Sequence, residues 1–260
     1  MSGSSVLQGV LASTVRTDLL LAVADEARTT EELKADVDAS ESAVYDALGN
    51  LERQRLVTSA PDGWTTTGTG RLVADLLVQQ ENLSRLFEQG YWERHDVEML
   101  PRRFRLRLTE LANADVFRAP DTNPHAVVRE VCERVEADGP NVDIVTPIYQ
   151  AEYEDVMPDH ESARLLIDTT VAEQALERTD DVEQARTYEK TQIRILDIDV
   201  GIGVTGDHLM LSLPTLDGQY DSRTEVFATD DRALDWGRDL FEYYWERATP
   251  EEQFLANYFG

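Results

Sequence analysis

Lysine is nearly missing from this chain: Lys34 and Lys190 are the only two in 260 residues. Cysteine is rarer still. Cys132 stands alone, which excludes an internal disulfide, and it sits in an apolar helical pattern that suits a core thiol. One thiol and four histidines offer no zinc-ligand spacing, so no metal site is expected. No apolar run is long enough to span a membrane, and the N-terminus lacks the basic start and apolar stretch of a signal peptide. A soluble, cytoplasmic protein with no membrane partner is the expectation. No glycine-rich phosphate loop occurs. Gly201-Ile202-Gly203 lacks a third glycine and leads into a hairpin, so it reads as turn punctuation.

What is abundant is acid. Asp and Glu number 51 against 24 Lys and Arg, a formal net charge of -27. The acids are dispersed among periodic apolar residues, which argues against disorder. So large a charge destabilises a compact state by self-repulsion in dilute buffer. In molar salt the Debye length falls to about 3 Å and the repulsion is screened. Scattered acid with almost no lysine therefore reads as adaptation to the salt-rich cytoplasm of a halophile. The plainer alternative is an ordinary acidic cytosolic protein.

The length suits two domains, one of about 80 residues and one of about 150. In the first, Val6, Val10, Leu11, Val15, Leu19, Leu20 and Val23 recur at helical spacing, predicting one helix over 6–24. Thr29-Thr30-Glu31-Glu32 is a capping box that opens a second helix, with Leu33 and Val37 inward. After the turn Asp38-Ala39-Ser40, Ser40 is the N-cap of a third helix that runs to about Gln54. Ala43, Val44, Ala47, Leu48 and Leu51 form its inner stripe, and Glu41, Ser42, Tyr45, Asp46, Asn50 and Arg53 its outer face. Residues 56–67 read as strand, Pro-Asp-Gly turn and strand, and Gly68 to Glu88 returns to helical spacing.

Helix, helix, turn, helix, hairpin is the plan of a winged helix-turn-helix, whose recognition helix enters the major groove of double-stranded DNA. On that plan residues 40–54 read bases and 56–67 form the wing. Ser40, Ser42, Tyr45 and Asn50 face the groove, and Arg53, Arg55 and Arg71 flank the phosphate path. Residues 1–80 hold twelve acids and six bases, so the basic patch that usually marks DNA binding is missing. An adaptor whose winged helix binds protein and not DNA is the alternative. The stretches Thr-Glu-Glu-Leu, Ser-Glu-Ser-Ala-Val-Tyr-Asp-Ala-Leu and Leu-Glu-Arg-Gln-Arg-Leu-Val resemble the winged-helix part of regulators of the ArsR type over about residues 12–75.

Residues 81–120 read as linker helices and 121–260 as an α/β effector or dimerisation domain. Arg102, Arg103, Arg105 and Arg107 are either a solvated face with local salt bridges or a contact to a partner or DNA. From Pro124 onward, helix and strand alternate. Strands are predicted at 142–145, 163–167 and 193–199, then a hairpin over 201–213, a short strand at 224–228 and a helix over 231–247. The expected fold is α+β overall, a winged helix followed by an α/β domain with a mostly parallel sheet, an antiparallel hairpin and a C-terminal helix. Several stretches resemble the middle domain of the archaeal methanogenesis-regulator family. They are Trp92-Glu93-Arg94-His95-Asp96, Leu100-Pro101, Leu108-Thr109-Glu110-Leu111, Val145-Thr146-Pro147-Ile148-Tyr149, Asp217-Gly218-Gln219-Tyr220-Asp221 and the run Ala233 to Tyr244. The resemblance implies control of transcription in archaea and supplies no ligand.

No catalytic constellation can be named, so an enzyme is not expected and no cofactor is implied. Phospholipase-D-like chemistry needs a Lys two places after a His, and none of His95, His125, His160 or His208 has one. In parallel α/β sheets ligands lie beyond the carboxyl ends of strands. That geometry offers Thr146, Tyr149, Asp168, Thr169 and Thr170 as a site for a small-molecule effector, a phosphorylated anion being the natural match. The alternative is that Asp168 and Thr169 are only helix caps. Trp236, Phe241, Tyr244, Trp245, Phe254, Tyr258 and Phe259 either form a dimer surface or pack on the sheet, and a homodimer is expected.

Overall fold

The computed structural model describes residues 3–176 and 188–259, and the chain divides into two compact units at Asn82/Leu83. In the first unit the segment predicted as one helix is two, α1 (Gly3–Leu11) and α2 (Thr14–Ala22). Ser13 breaks them apart: its hydroxyl accepts from the Arg16 amide at 3.4 Å and caps α2. Val10 on one side of the break and Leu19 and Leu20 on the other reach the same core, which is why the apolar spacing reads through it. The capping box at Thr29 opens α3 (Thr30–Asp36), with the Thr29 amide donating to Glu32 Oε2 at 2.7 Å and the Glu32 amide to Thr29 Oγ1 at 3.3 Å.

Ser40 caps α4 (Glu41–Arg53), which buries Val44, Ala47, Leu48 and Leu51. The helix ends in a Schellman motif. The Leu56 amide reaches back to the Leu51 carbonyl at 2.9 Å and the Arg55 amide to Glu52 at 2.8 Å. Arg55 sits at the left-handed position with φ 59, where glycine is usual. Strands β1 (Val57–Ala60) and β2 (Gly63–Thr66) form an antiparallel hairpin with Val57 opposite Thr66. Arg28 bridges Trp64 in both directions, at 3.0 and 2.7 Å, which ties the hairpin to the start of α3. α5 (Gly68–Glu88) follows, and Thr67 Oγ1 accepts from the Gly70 amide at 3.0 Å.

In the second unit, residues expected to be linker belong to the fold. Leu86 near the end of α5, and Tyr91, Leu100, Phe104, Leu111 and Ala114 on the turns and short helical segments beyond it, which include α6 (Arg102–Arg105), are buried in its main core. β3 (Asp115–Arg118) is an edge strand that sequence spacing did not reveal. Then come α7 (Ala126–Asp138), β4 (Asp143–Thr146), α8 (Ala151–Val156), β5 (Arg164–Asp168), α9 (Thr169–Leu176) and β6 (Gln192–Leu196). β7 (Gly201–Val204), β8 (Leu209–Ser212) and β9 (Thr224–Ala228) lead to α10 (Asp231–Trp245), β10 (Thr249–Pro250) and α11 (Glu251–Phe259).

These strands make one sheet in the order β10-β6-β5-β4-β7-β8-β9-β3. The expectation of a mostly parallel sheet is corrected: only β4–β5 and β5–β6 pair in parallel, and the other pairings are antiparallel. The helix-strand alternation that suggested crossovers holds only for residues 126–196. β7, β8 and β9 follow one another as a meander without crossover helices. One face of the sheet is covered by α10, which buries Trp236, Leu240, Phe241, Tyr244 and Trp245. The Trp236 indole donates to the Phe104 carbonyl at 3.2 Å. These aromatics pack within the chain, and of the expected dimer-surface set only Tyr258 and Phe259 are exposed. The other face carries Ile144, Leu165, Met210 and Phe227 beneath α7 and α8.

The start of α5 is the tightest approach in the first unit. A Cβ on Gly70 would lie 1.8 Å from the Leu56 carbonyl oxygen, a backbone atom with no freedom to yield. Gly70→Ala is expected to destabilise the first unit by more than about 2 kcal/mol, the cost of overpacking against a fixed wall. A denaturant titration followed by Trp64 fluorescence measures it. Gly68→Ala, with open space around its Cβ, serves as the control.

Candidate nucleic-acid face and candidate ligand cavity

The residues expected to meet DNA do not behave alike. Ser40, Ser42, Tyr45, Arg53 and Arg55 are exposed, with Tyr45 at 51%, whereas Asn50 is half-buried and accepts from Gln54 Nε2 at 2.6 Å. Ser40 is spent on capping α4, and its hydroxyl also lies 3.2 Å from that of Ser42. Arg71 is tied down: it pairs with Asp25 at 3.1 Å and Asp75 at 3.3 Å and donates to the Ala24 carbonyl. Arg28 and Lys34 are likewise held, by Glu26 and Asp36 and by Glu41. Among the described residues, Arg53 and Arg55 have no ion pair. The outward face of α4 therefore presents Ser42 and Tyr45 along its length and two unneutralised guanidinium groups at its C-terminal end.

The expected effector residues separate as well. Asp168 is buried, and both carboxylate oxygens are occupied: Oδ1 accepts from the Thr170 amide at 2.8 Å and Oδ2 from the Ile198 amide at 3.1 Å. It caps α9 and fixes the chain after β6. Thr146 and Tyr149, by contrast, line a cavity of about 180 Å³ in the second unit, which Asp168, Thr169 and Thr170 do not touch. Its floor is the sheet face of Ile144, Leu165 and Met210, and its roof comes from α7, α8 and the turn Val145–Gln150. Gly201 and Gly203 keep that floor low. A Cβ on Gly203 would meet Met210 Cε at 2.6 Å.

Sequence reasoning missed the polar group in this cavity. Glu225 lies on β9, where Val226 and Ala228 belong to the core under α10, so strand alternation turns Glu225 to the opposite face. It is 5% exposed and lines the cavity. Among the described residues, no hydrogen bond or ion pair reaches its carboxyl group. Burial pushes its pKa up to about 8, and the neighbouring negative charge of Asp221 adds to this. Burial alone would also raise Asp221, but the Arg223 amide, the Thr224 hydroxyl and the His95 ring hold it below the usual carboxylate range. His95 is itself buried, with Nδ1 2.8 Å from the Tyr91 carbonyl and Nε2 3.1 Å from Asp221. Tyr153 and Tyr220 also line the cavity. Burial raises both phenols far above their ordinary range, and the Glu225 charge raises them further. The sequence signal of Glu225 is an acid placed among apolar residues in the strand Thr-Glu-Val-Phe-Ala.

Among the described residues, no group of three His, Cys, Asp or Glu side chains is placed to hold a metal ion, and no helix is long and apolar enough to cross a membrane. A carboxyl that binds its proton more tightly in the folded state favours folding most below its unfolded pKa, and this advantage is lost as pH rises through the folded pKa. For Glu225 the window runs from about 4.5 to about 8. Glu225→Gln is expected to melt at least about 3 °C above the parent chain at pH 8.5, roughly the shift from 1 kcal/mol in a domain of this size. The gap should close toward pH 5. Scanning calorimetry across that range checks it, and a gap that does not change with pH would refute the assignment.

Two family models match the chain. Residues 124–247 match the middle domain of the methanogenesis regulatory protein FilR1, and residues 5–86 match the HVO_A0261 N-terminal domain. A curated relative, the methanogenesis regulatory protein FilR1 of Methanothrix harundinacea (strain 6Ac), is 22% identical over 255 residues. The match takes in 91% of this chain and 56% of the relative, so the chain spans little more than half that protein's length. The solved structure of TrmBL2, described as an archaeal chromatin protein with a novel mode of DNA binding, aligns over 88% of this chain and 91% of its own at 17% identity. Its TM-score of 0.41 is too low to carry an argument. By residue span and order, the chain joins an N-terminal domain similar to that of the HVO_A0261 family to a FilR1-like middle domain, as the resemblance to the methanogenesis-regulator family implied.

Proposed function

We propose that the chain is a DNA-binding transcriptional regulator of a salt-rich archaeal cytoplasm. The first unit acts as a winged helix-turn-helix, with α4 in the major groove and β1–β2 as the wing. The second unit dimerises and senses a small effector, and no step of this reading requires catalysis. The observation that carries it is the outward face of α4, where Ser42 and Tyr45 are exposed to solvent beside Arg53 and Arg55. The regulatory role for which the FilR1 relative is named supports the same reading.

Acids neutralise Arg28, Lys34 and Arg71, which leaves little positive charge to steer DNA. Molar salt removes most of the counterion-release gain in any case. Affinity then rests on fit, hydrogen bonds and apolar contact, for which an exposed tyrosine is well suited. Arg55 adds a further argument. A non-glycine residue in the left-handed region costs about 1–2 kcal/mol. A guanidinium needed at the end of the recognition helix is a reason to bear that cost. For the dimer, α5 exposes Leu72, Leu76, Leu83 and Phe87 at four- and seven-residue spacings, the pattern of a helix-pairing seam.

Selection from a random duplex library in potassium chloride at about 1 M, where the screening length is about 3 Å, tests the DNA reading. The parent chain should enrich an inverted repeat with half-sites about 10 base pairs apart. Tyr45→Ala and Arg53→Ala should each lower retention about tenfold, the loss expected of a contact worth 1–3 kcal/mol. Enrichment of the same motif by Tyr45→Ala and Asn50→Ala at undiminished strength overturns base reading by α4. No retention at any salt favours a protein-binding adaptor. Arg55→Gly should move two readouts in opposite directions, raising first-unit stability by about 1 kcal/mol while weakening DNA retention. Leu76→Glu combined with Phe87→Glu should give a monomer in sedimentation if α5 pairs two chains.

A further inference from the structure

We infer that the second-unit cavity binds a small primary amine as its ammonium ion, with the apolar body against Ile144, Leu165 and Met210 and the charge on the Glu225 carboxylate. The inference deepens the sensing half of the reading above and does not need its DNA-binding half.

Four observations carry it. The volume of about 180 Å³ is of the size that admits a benzene-like ring, which an apolar cavity of about 150 Å³ accepts. The walls are mostly aliphatic, so a ligand buries apolar surface there. Glu225 is a buried residue whose carboxyl group has no hydrogen-bond or ion-pair partner among the described residues, and a buried polar group without a partner is costly, so a ligand that supplies the partner recovers that cost. The sign of the missing charge follows from the surroundings. The cavity is lined by Glu225 and Glu251 and, among the described residues, by no Lys, Arg or His. Asp221 adds negative potential from close by. Tyr149, Tyr153, Tyr188 and Tyr220 bring four aromatic rings to the wall, and ring faces attract cations.

These features argue against the phosphorylated anion expected from strand-end geometry. An anion here would meet the Glu225 carboxyl and, among the described residues that line the cavity, no cation. An ammonium ion would instead stabilise the charged form of Glu225, so binding should release a proton when the carboxyl starts neutral. Affinity should therefore rise with pH through the region near 8 where Glu225 titrates, until the amine itself loses its charge.

Calorimetric titration of the full chain with benzylamine, benzyl alcohol and benzoate, in potassium chloride at about 1 M, tests the proposal. Benzylamine should saturate one site per chain, bind at least about tenfold more tightly than benzyl alcohol and tighten from pH 6.5 to 8.5, while benzoate gives no heat. Glu225→Gln, close in shape to the parent, should lose at least about tenfold for benzylamine and change benzyl alcohol by less than about threefold, since it removes one charge contact and leaves the apolar walls (a tenfold change is about 1.4 kcal/mol). Val131→Phe, which fills the cavity from α7, should abolish both, with folding checked by circular dichroism. Benzoate binding as tightly as benzylamine, benzylamine binding unchanged in Glu225→Gln, or no heat from any of the three overturns the proposal. Because no DNA is present, loss of DNA retention would remove the regulatory reading without touching this result.

Discussion

The second unit is organised by one constraint, the burial of α10 against a sheet whose strands alternate their side chains with a period of two. Once Trp236, Leu240 and Phe241 take one face, every strand must commit alternate residues to that side. Val145 on β4, Leu166 on β5, Leu211 on β8 and Val226 and Ala228 on β9 answer that demand. Their neighbours are forced to the other face, and this is how an acid reaches an apolar interior. Glu225 stands between Thr224 and Val226, and no shift of register could free it without exposing the core under α10. A hidden carboxyl is thus a price set by strand geometry, and the tyrosines and open volume around it are where that geometry becomes useful.

The two faces differ in finish. The side under α10 is sealed by aromatic pairs such as Phe104 with Trp236 and Phe241 with Trp245, and by Arg164 and Arg194 stacked over the same rings. The side under α7 and α8 is spanned by shorter elements and keeps the cavity. The stretches that resemble the methanogenesis-regulator domain fall on both. Trp92 and the buried residues of the run Ala233 to Tyr244 pack in the sealed core, Thr146–Tyr149 and Tyr220 wall the cavity, and Val145 touches both. One set of residues therefore makes the fold and the other its interior site.

Much of the first unit could be read directly from the residues. Caps at Thr29 and Ser40 are local chemistry, and the stripe Val44, Ala47, Leu48 and Leu51 is local spacing. The break at Ser13 escaped because Val10 and Leu19 serve one core from two helices, so periodicity crossed a gap it could not register. In the second unit the strands were legible, but their partners were not, since a parallel pair and a meander use similar residues. β3 sets only Val116 and Phe117 between exposed Asp115 and Arg118, β10 has two residues, and α11 lies beyond the last periodic run read from the sequence. On α4 the exposed set was legible; the pairing of Arg71 with Asp25 and Asp75 was not, because it joins residues far apart in the chain. Thr146 and Tyr149 were reached by reasoning about strand ends, whereas Glu225 required knowing which way β9 faces.

The two-residue strand at one end of the sheet governs how molecules of this chain can meet edge to edge. Thr249 and Pro250 pair with Ile195 and Arg194 on the outer side of β6. Proline has no amide hydrogen to offer a newcomer, and a strand this short gives little length to pair with. Salt that screens repulsion between acidic molecules also lets them approach closely. At that distance, this border offers a neighbouring molecule little template for continuous β-pairing.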